Sequence, residues 1–132
     1  MLKWNETDVI DCLEVLPVVF DSKTKYLFEA IRGGLRLRLT IWPYERQAQL
    51  ELSSDPDQQP IIAFRLVIRG ELKYLKETRI EQLEFTDAVI GPAYHWRNES
   101  FAYSHTESPP GVTVILSVKP AIHIQVLDYL EP

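Results

Sequence analysis

The sequence predicts an α+β fold: one N-terminal helix packed on a mainly antiparallel meander sheet. An all-β sandwich or partly open barrel is the alternative. Three observations carry this reading. A single helical stripe stands near the N-terminus. Short runs of alternating apolar and polar residues follow it. Brief turn-forming segments separate those runs, so strands pair with their sequence neighbours.

Residues 5–16 read as the helix. Asn5 or Thr7 suits the cap, and Glu6 and Asp8 favour the first turn. Val9, Cys12, Leu13 and Leu16 fall at i, i+3, i+4 and i+7, one apolar stripe. Pro17 marks the stop, because the residue before proline leaves the helical region. Cys12 on that stripe reads as a small core residue rather than a nucleophile.

Residues 18–20 and 26–31 form two short strands around the turn 21–24. Gly33-Gly34 breaks the pattern, and no phosphate-loop spacing surrounds it, so it reads as a plain turn or bulge. The strongest signal is the hairpin 35–52. Leu35, Leu37, Leu39 and Ile41 alternate with Arg36, Arg38 and Thr40, and 47–52 alternates again. With Trp42 opposite Gln47, Ile41 faces Ala48, Leu39 faces Leu50 and Leu37 faces Leu52. The other face pairs Thr40 with Gln49 and Arg38 with Glu51. A slip of one residue would send the apolar set to the wrong face. The exposed Arg38–Glu51 pair, at about 0.2–1 kcal/mol, marks register more than it stabilises.

The composition of 53–60 makes it a loop. Residues 61–69 are apolar enough on both faces to lie inside the sheet. Residues 71–79 fit a short helix or a strand and turn, and the balance favours the second. Residues 80–85 form a strand with Leu83 and Phe85 inward, closed by Gly91-Pro92. In the last third, 101–105 and 112–118 read as a hairpin. A turn at Lys119-Pro120 precedes a final strand over 121–127. The reading is a single domain over 1–132, with seven or eight strands.

Apolar residues make up 45% of the chain and charged ones 25%, as in ordinary globular domains. No apolar run is long enough for a membrane helix, and the N-terminus lacks a signal peptide's apolar region. The single cysteine excludes an intramolecular disulfide and a four-cysteine zinc site. The expected location is the cytoplasm, with no membrane partner. Fourteen basic residues against nineteen acidic ones give a net charge of −5, and no segment clusters Lys or Arg. That balance argues against nucleic acid, although Arg36, Arg38, Arg65 and Arg69 could form a hidden basic face.

Catalytic motifs are missing: no nucleophile elbow, no metalloprotease pair, no zinc-finger or calcium-loop spacing. The sequence predicts no cofactor and weighs against an enzyme. Two aromatic-rich segments are candidate binding regions. One is the hairpin tip with Trp42 and Tyr44, either lids folded over the core or a projecting contact site. The other holds Tyr94, His95, Trp96, Arg97, Tyr103 and His105. Trp, Tyr and Arg dominate interface hot spots. The expectation is a small non-enzymatic protein-binding module, monomer or homodimer. Its specific form is an immunity- or antitoxin-type inhibitor that masks a basic partner. The alternative is a ligand- or metal-binding domain, catalytic or not, built on 94–107. In it His95 and His105 would converge with His123 and Glu107. The blander alternative leaves His123 partly buried and satisfied by a neighbouring polar group.

Overall fold

The computed structural model describes residues 1–54, 59–92 and 110–128. A helix, α1 (Glu6–Leu13), precedes nine strands: β1 (Val18–Phe20), β2 (Lys25–Arg32), β3 (Leu35–Trp42), β4 (Gln47–Ser54), β5 (Pro60–Ile68), β6 (Leu72–Glu77), β7 (Ile80–Gly91), β8 (Val112–Ser117) and β9 (His123–Leu127). The strands form one antiparallel sheet in the order β1-β2-β3-β4-β5-β7-β8-β9, and β6 adds to β7. Among the described residues the sheet does not close into a barrel.

Asn5 caps α1, its Oδ1 accepting from the Asp8 amide at 3.2 Å. The helix ends earlier than the stripe implies. Glu14 takes the left-handed conformation (φ 60°), and its N–H bonds back to the Ile10 carbonyl. Leu16 therefore leaves the stripe and is 78% exposed. Val9, Cys12 and Leu13 keep the buried face.

Both residues of the Gly33-Gly34 turn have positive φ, 57° and 77°. Such a turn matches the twist of the flanking strands, and only glycine adopts it without strain at both places. The next hairpin has the register read from the alternation. Trp42 opposes Gln47, Leu39 opposes Leu50 and Arg38 opposes Glu51.

β7 carries two partners on one flank. Its first half pairs with β6, Leu72 opposite Phe85, and its second half with β5, Ile68 opposite Ala88. A bulge at Thr86 and Asp87 separates them, with Asp87 at φ 49°. The Gly70 N–H bonds the Thr86 carbonyl at 3.1 Å, and the Glu71 N–H bonds Thr86 Oγ1 at 2.8 Å. A Cβ on Gly70 would sit 2.2 Å from that Oγ1 and 2.7 Å from the Thr86 carbonyl oxygen, so this crossing requires glycine.

An eight-residue helix is about 12 Å long, whereas a flat sheet of this order spans roughly 30 Å. One helix cannot cover it, so the inner-face residues of the strands supply most of the core. Phe28, Leu39, Leu50 and Leu66 meet Leu83, Phe85, Val114 and Leu116 in one core with the helix residues. Cys12 is part of it, and burial pushes its thiol up to about 12. At neutral pH such a thiol is protonated and inert.

Candidate interaction face

Alternation that sends Leu37, Leu39 and Ile41 inward sends Arg36, Arg38, Thr40 and Trp42 outward. Their partners on β4 are Ser53, Glu51, Gln49 and Gln47. β2 extends the outer rows with Glu29 beside Arg38, and β5 with Arg65 beside Gln49 and Val67 beside Gln47. Four strands thus present one face, polar along β3 and β4 and flanked by Leu27 and Ile31 on β2 and by Ala63 and Val67 on β5.

Its side chains are locked to each other. Glu29 receives Arg38 Nε at 3.2 Å and Arg36 Nη1 at 3.8 Å. Arg38 Nη1 also reaches Glu51 at 3.8 Å. Gln49 Nε2 donates to the other oxygen of Glu51 at 2.6 Å. Gln49 Oε1 accepts twice from Arg65, from Nε at 3.1 Å and Nη2 at 2.8 Å. Arg65 Nη1 reaches Gln47 Oε1 at 3.4 Å. The guanidinium lies 4.3 Å from the centroid of the Trp42 ring, a cation–π stack. Gln47 and Gln49 are buried, 9% and 6% exposed. Burial lowers the pKa of Arg65, opposed by Glu45 and Glu51. Three of the four arginines of the possible basic face are ion-paired: Arg36 and Arg38 as above, and Arg69 with Asp87 at 2.7 Å.

Trp42 and Tyr44 are not lids over the core. Trp42 belongs to the outer row, and Tyr44 projects from the tip, 59% exposed. The tip itself is fixed. Arg46, at φ 56°, accepts the Ile68 N–H on its carbonyl at 2.8 Å. Its guanidinium donates to the carbonyls of Ile68 at 3.0 Å and Gly70 at 3.1 Å, and to that of Arg69. The Leu2 N–H bonds the Pro43 carbonyl at 2.8 Å from the other side. Arg46→Ala is expected to cost about 2 kcal/mol, because bonds from a charged donor to three carbonyls are lost together. Urea unfolding of the variant measures this.

A second polar cluster lies at the helix C-terminus. Lys119 Nζ sits 2.8 Å from Glu81 and 3.0 Å from Glu14. Tyr74 donates to Glu81, and Arg32 bonds Glu14 at 3.1 Å. These pairs join α1, β2, β6 and β7 to the residue after Val118, which explains its position as a structural tie. The Lys119 ammonium, then the Tyr74 hydroxyl, hold the Glu81 carboxyl below its ordinary 4.5. A depressed carboxylate stabilises the fold above its unfolded value and loses that contribution as pH falls through the folded value. Lys119 is raised, chiefly by Glu81, so its contribution persists until strongly alkaline pH. Stability is therefore expected to drop below about pH 4.5, and less steeply in Glu81→Gln, when urea midpoints are followed against pH.

Of the residues singled out in the sequence, Trp42 and Tyr44 come together at the hairpin end. Tyr94, His95, Trp96, Arg97, Tyr103 and His105 lie outside the described residues, as does Glu107. His123 is not partly buried: it is exposed on the edge strand β9, its Nε2 3.5 Å from Gln125 Oε1. Among the described residues no three of His, Cys, Asp and Glu are grouped to hold a metal. The sequence offers Arg65 only as one arginine of a possible basic face, Gln47 and Gln49 only as register positions, and Arg46 as no candidate at all. The hairpin register already set Gln47 beside Trp42, but Arg65 joins them only through the β4–β5 register, which the loop between those strands hides.

No helix among the described residues is long and apolar enough to cross a membrane. No family model and no curated protein matches the sequence. The fold is similar to that of a chain in a solved contact-dependent growth inhibition toxin–immunity protein complex from Klebsiella pneumoniae 342. The TM-score is 0.68 at 13% identity, over 95% of this chain and 94% of that one.

Proposed function

We propose that this chain is a non-enzymatic protein-binding module of the immunity type, a cytoplasmic inhibitor that covers a basic protein partner. The observation that carries the reading is the outer face of β2–β5, where Trp42, Arg65, Gln47, Gln49 and Glu51 are held in one arrangement. A face whose long side chains are already ordered loses little rotamer freedom on binding, and such preorganisation favours affinity. Trp42 and Tyr44 at its end supply the residue types that dominate hot spots. The net charge of −5 would speed encounter with a basic partner. The solved neighbour comes from a complex of a toxin with an immunity protein, which supports a protein partner for a chain of this fold.

The test uses the full tagged chain expressed in its native host. A stoichiometric partner that salt releases, and that Tyr44→Ala weakens at least fivefold without loss of folding, supports the reading. A chain that purifies alone, or one whose partner ignores both Tyr44→Ala and Trp42→Ala, sinks it.

A further inference from the structure

We propose that the Trp42–Arg65 station receives an Asp or Glu carboxylate of the protein partner. The inference rests on the protein-binding reading and names what that partner presents at one point of the face.

A guanidinium has five N–H donors. Arg65 uses three of them, one each on Nε, Nη2 and Nη1, and all three go to neutral amides. One hydrogen remains on each terminal nitrogen. A carboxylate accepts from such donors in short, charge-assisted bonds. Among the described residues, no carboxylate lies within ion-pair reach of Arg65. Its neighbours are treated differently: Arg38 pairs with Glu29 and Glu51, and Arg69 with Asp87. Glu51 is nearby but is turned to Gln49 and Arg38.

The guanidinium is thus partly desolvated, fixed in plane by the Trp42 ring and Gln49, and in contact with no carboxylate among the described residues, Glu45 and Glu51 acting on it only from a distance. A partly buried cation with no anion in contact carries an energetic cost that an incoming carboxylate reduces. Removing water from the site on docking strengthens the pair further. The choice of a single carboxylate over a run of phosphates follows from the surroundings. Glu45 and Glu51 act on Arg65, and the chain carries −5 overall; this opposes every added negative charge, so a run of phosphates is disfavoured far more than one side-chain carboxylate. A basic partner with one acidic side chain at this point satisfies both the long-range attraction and the local pairing.

Sodium acetate, titrated against sodium chloride at constant ionic strength, tests the station on the full chain without the partner. The readouts are the Arg65 Nε–H and Trp42 indole N–H resonances, the latter assigned through Trp42→Phe. The expected result is a saturable shift of both, at least fivefold larger in acetate than in chloride. It is lost in Arg65→Gln and reduced in Arg65→Lys, which keeps the charge without the fork. Equal shifts in the two salts would overturn the proposal, as would a response surviving in Arg65→Gln. Inorganic phosphate saturating at a tenfold lower concentration than acetate would overturn it in favour of a phosphate ligand. If acetate fails while Trp42→Ala still abolishes partner capture, the carboxylate assignment alone falls. If capture ignores both tip variants, the protein-binding reading falls first.

Discussion

Phe85→Ala is expected to remove about 3–5 kcal/mol of stability. Phe85 is fully buried on β7, opposite Leu72 of β6 on one side and Val114 of β8 on the other. It stands one residue before the bulge at Thr86, where β7 passes from β6 to β5. Two strand partners and their ladder bonds hold the backbone there, so the surroundings cannot collapse into the space the ring leaves. Cavity cost then adds to lost transfer energy. Domains of ordinary stability have about 5–15 kcal/mol in hand, so the variant would be marginal. Urea unfolding reads the effect as a lower midpoint at unchanged slope. A loss under about 1 kcal/mol would mean that the sheet and helix do not enclose a single core around this ring.

Trp42→Ala is the second large effect, and it falls on binding. Truncating an aromatic anchor at a hot spot commonly costs 2 kcal/mol or more, roughly a thirtyfold weaker complex. Here the loss is compounded. The indole is also the surface on which Arg65 lies, so its removal frees the guanidinium to move and relaxes the ordering of Gln47 and Gln49. Stability should change far less than in Phe85→Ala, because Trp42 is half-buried at a strand end. Calorimetric titration of the purified partner separates the two effects. Weakening by less than threefold in a folded variant would remove Trp42 from the contact.

The parts of the fold that could be read from the sequence are those governed by neighbours in the chain. The register of the hairpin 35–52 was legible because every cross-strand pair matched in character and a slip inverts the faces. The glycine turn followed from backbone chemistry at single positions, and the helix cap was narrowed to Asn5 or Thr7, of which Asn5 takes it. The helix end was not legible. Glu14 stops α1 two residues before Leu16, and its side chain is held by Arg32 and Lys119, both distant in sequence. The exposure of His123 was misjudged for a similar reason: β9 is an edge strand, and its burial depends on what lies beyond β8.

The same division runs through the candidate site. Trp42 and Tyr44 announced themselves as aromatics at a turn. Arg65 stood out only as part of a possible basic face, since its place beside Trp42 depends on pairing Gln49 with a residue on the next strand, β5. Arg46 was hidden too, because its three carbonyl partners belong to the end of β5 and the residues after it. Side chains that act through cross-strand geometry carry no local signature.

Hydroxyl-radical footprinting of the free chain and of its complex with the captured partner tests the docking face most directly. Oxidation of Tyr44 and Trp42 is expected to fall severalfold in the complex, while Trp4, which packs edge-on to Tyr26 beside α1, keeps its rate. Unchanged oxidation at Tyr44 and Trp42, with protection appearing instead around Trp4 or on β9, would contradict the placement of the partner on the outer face of β2–β5.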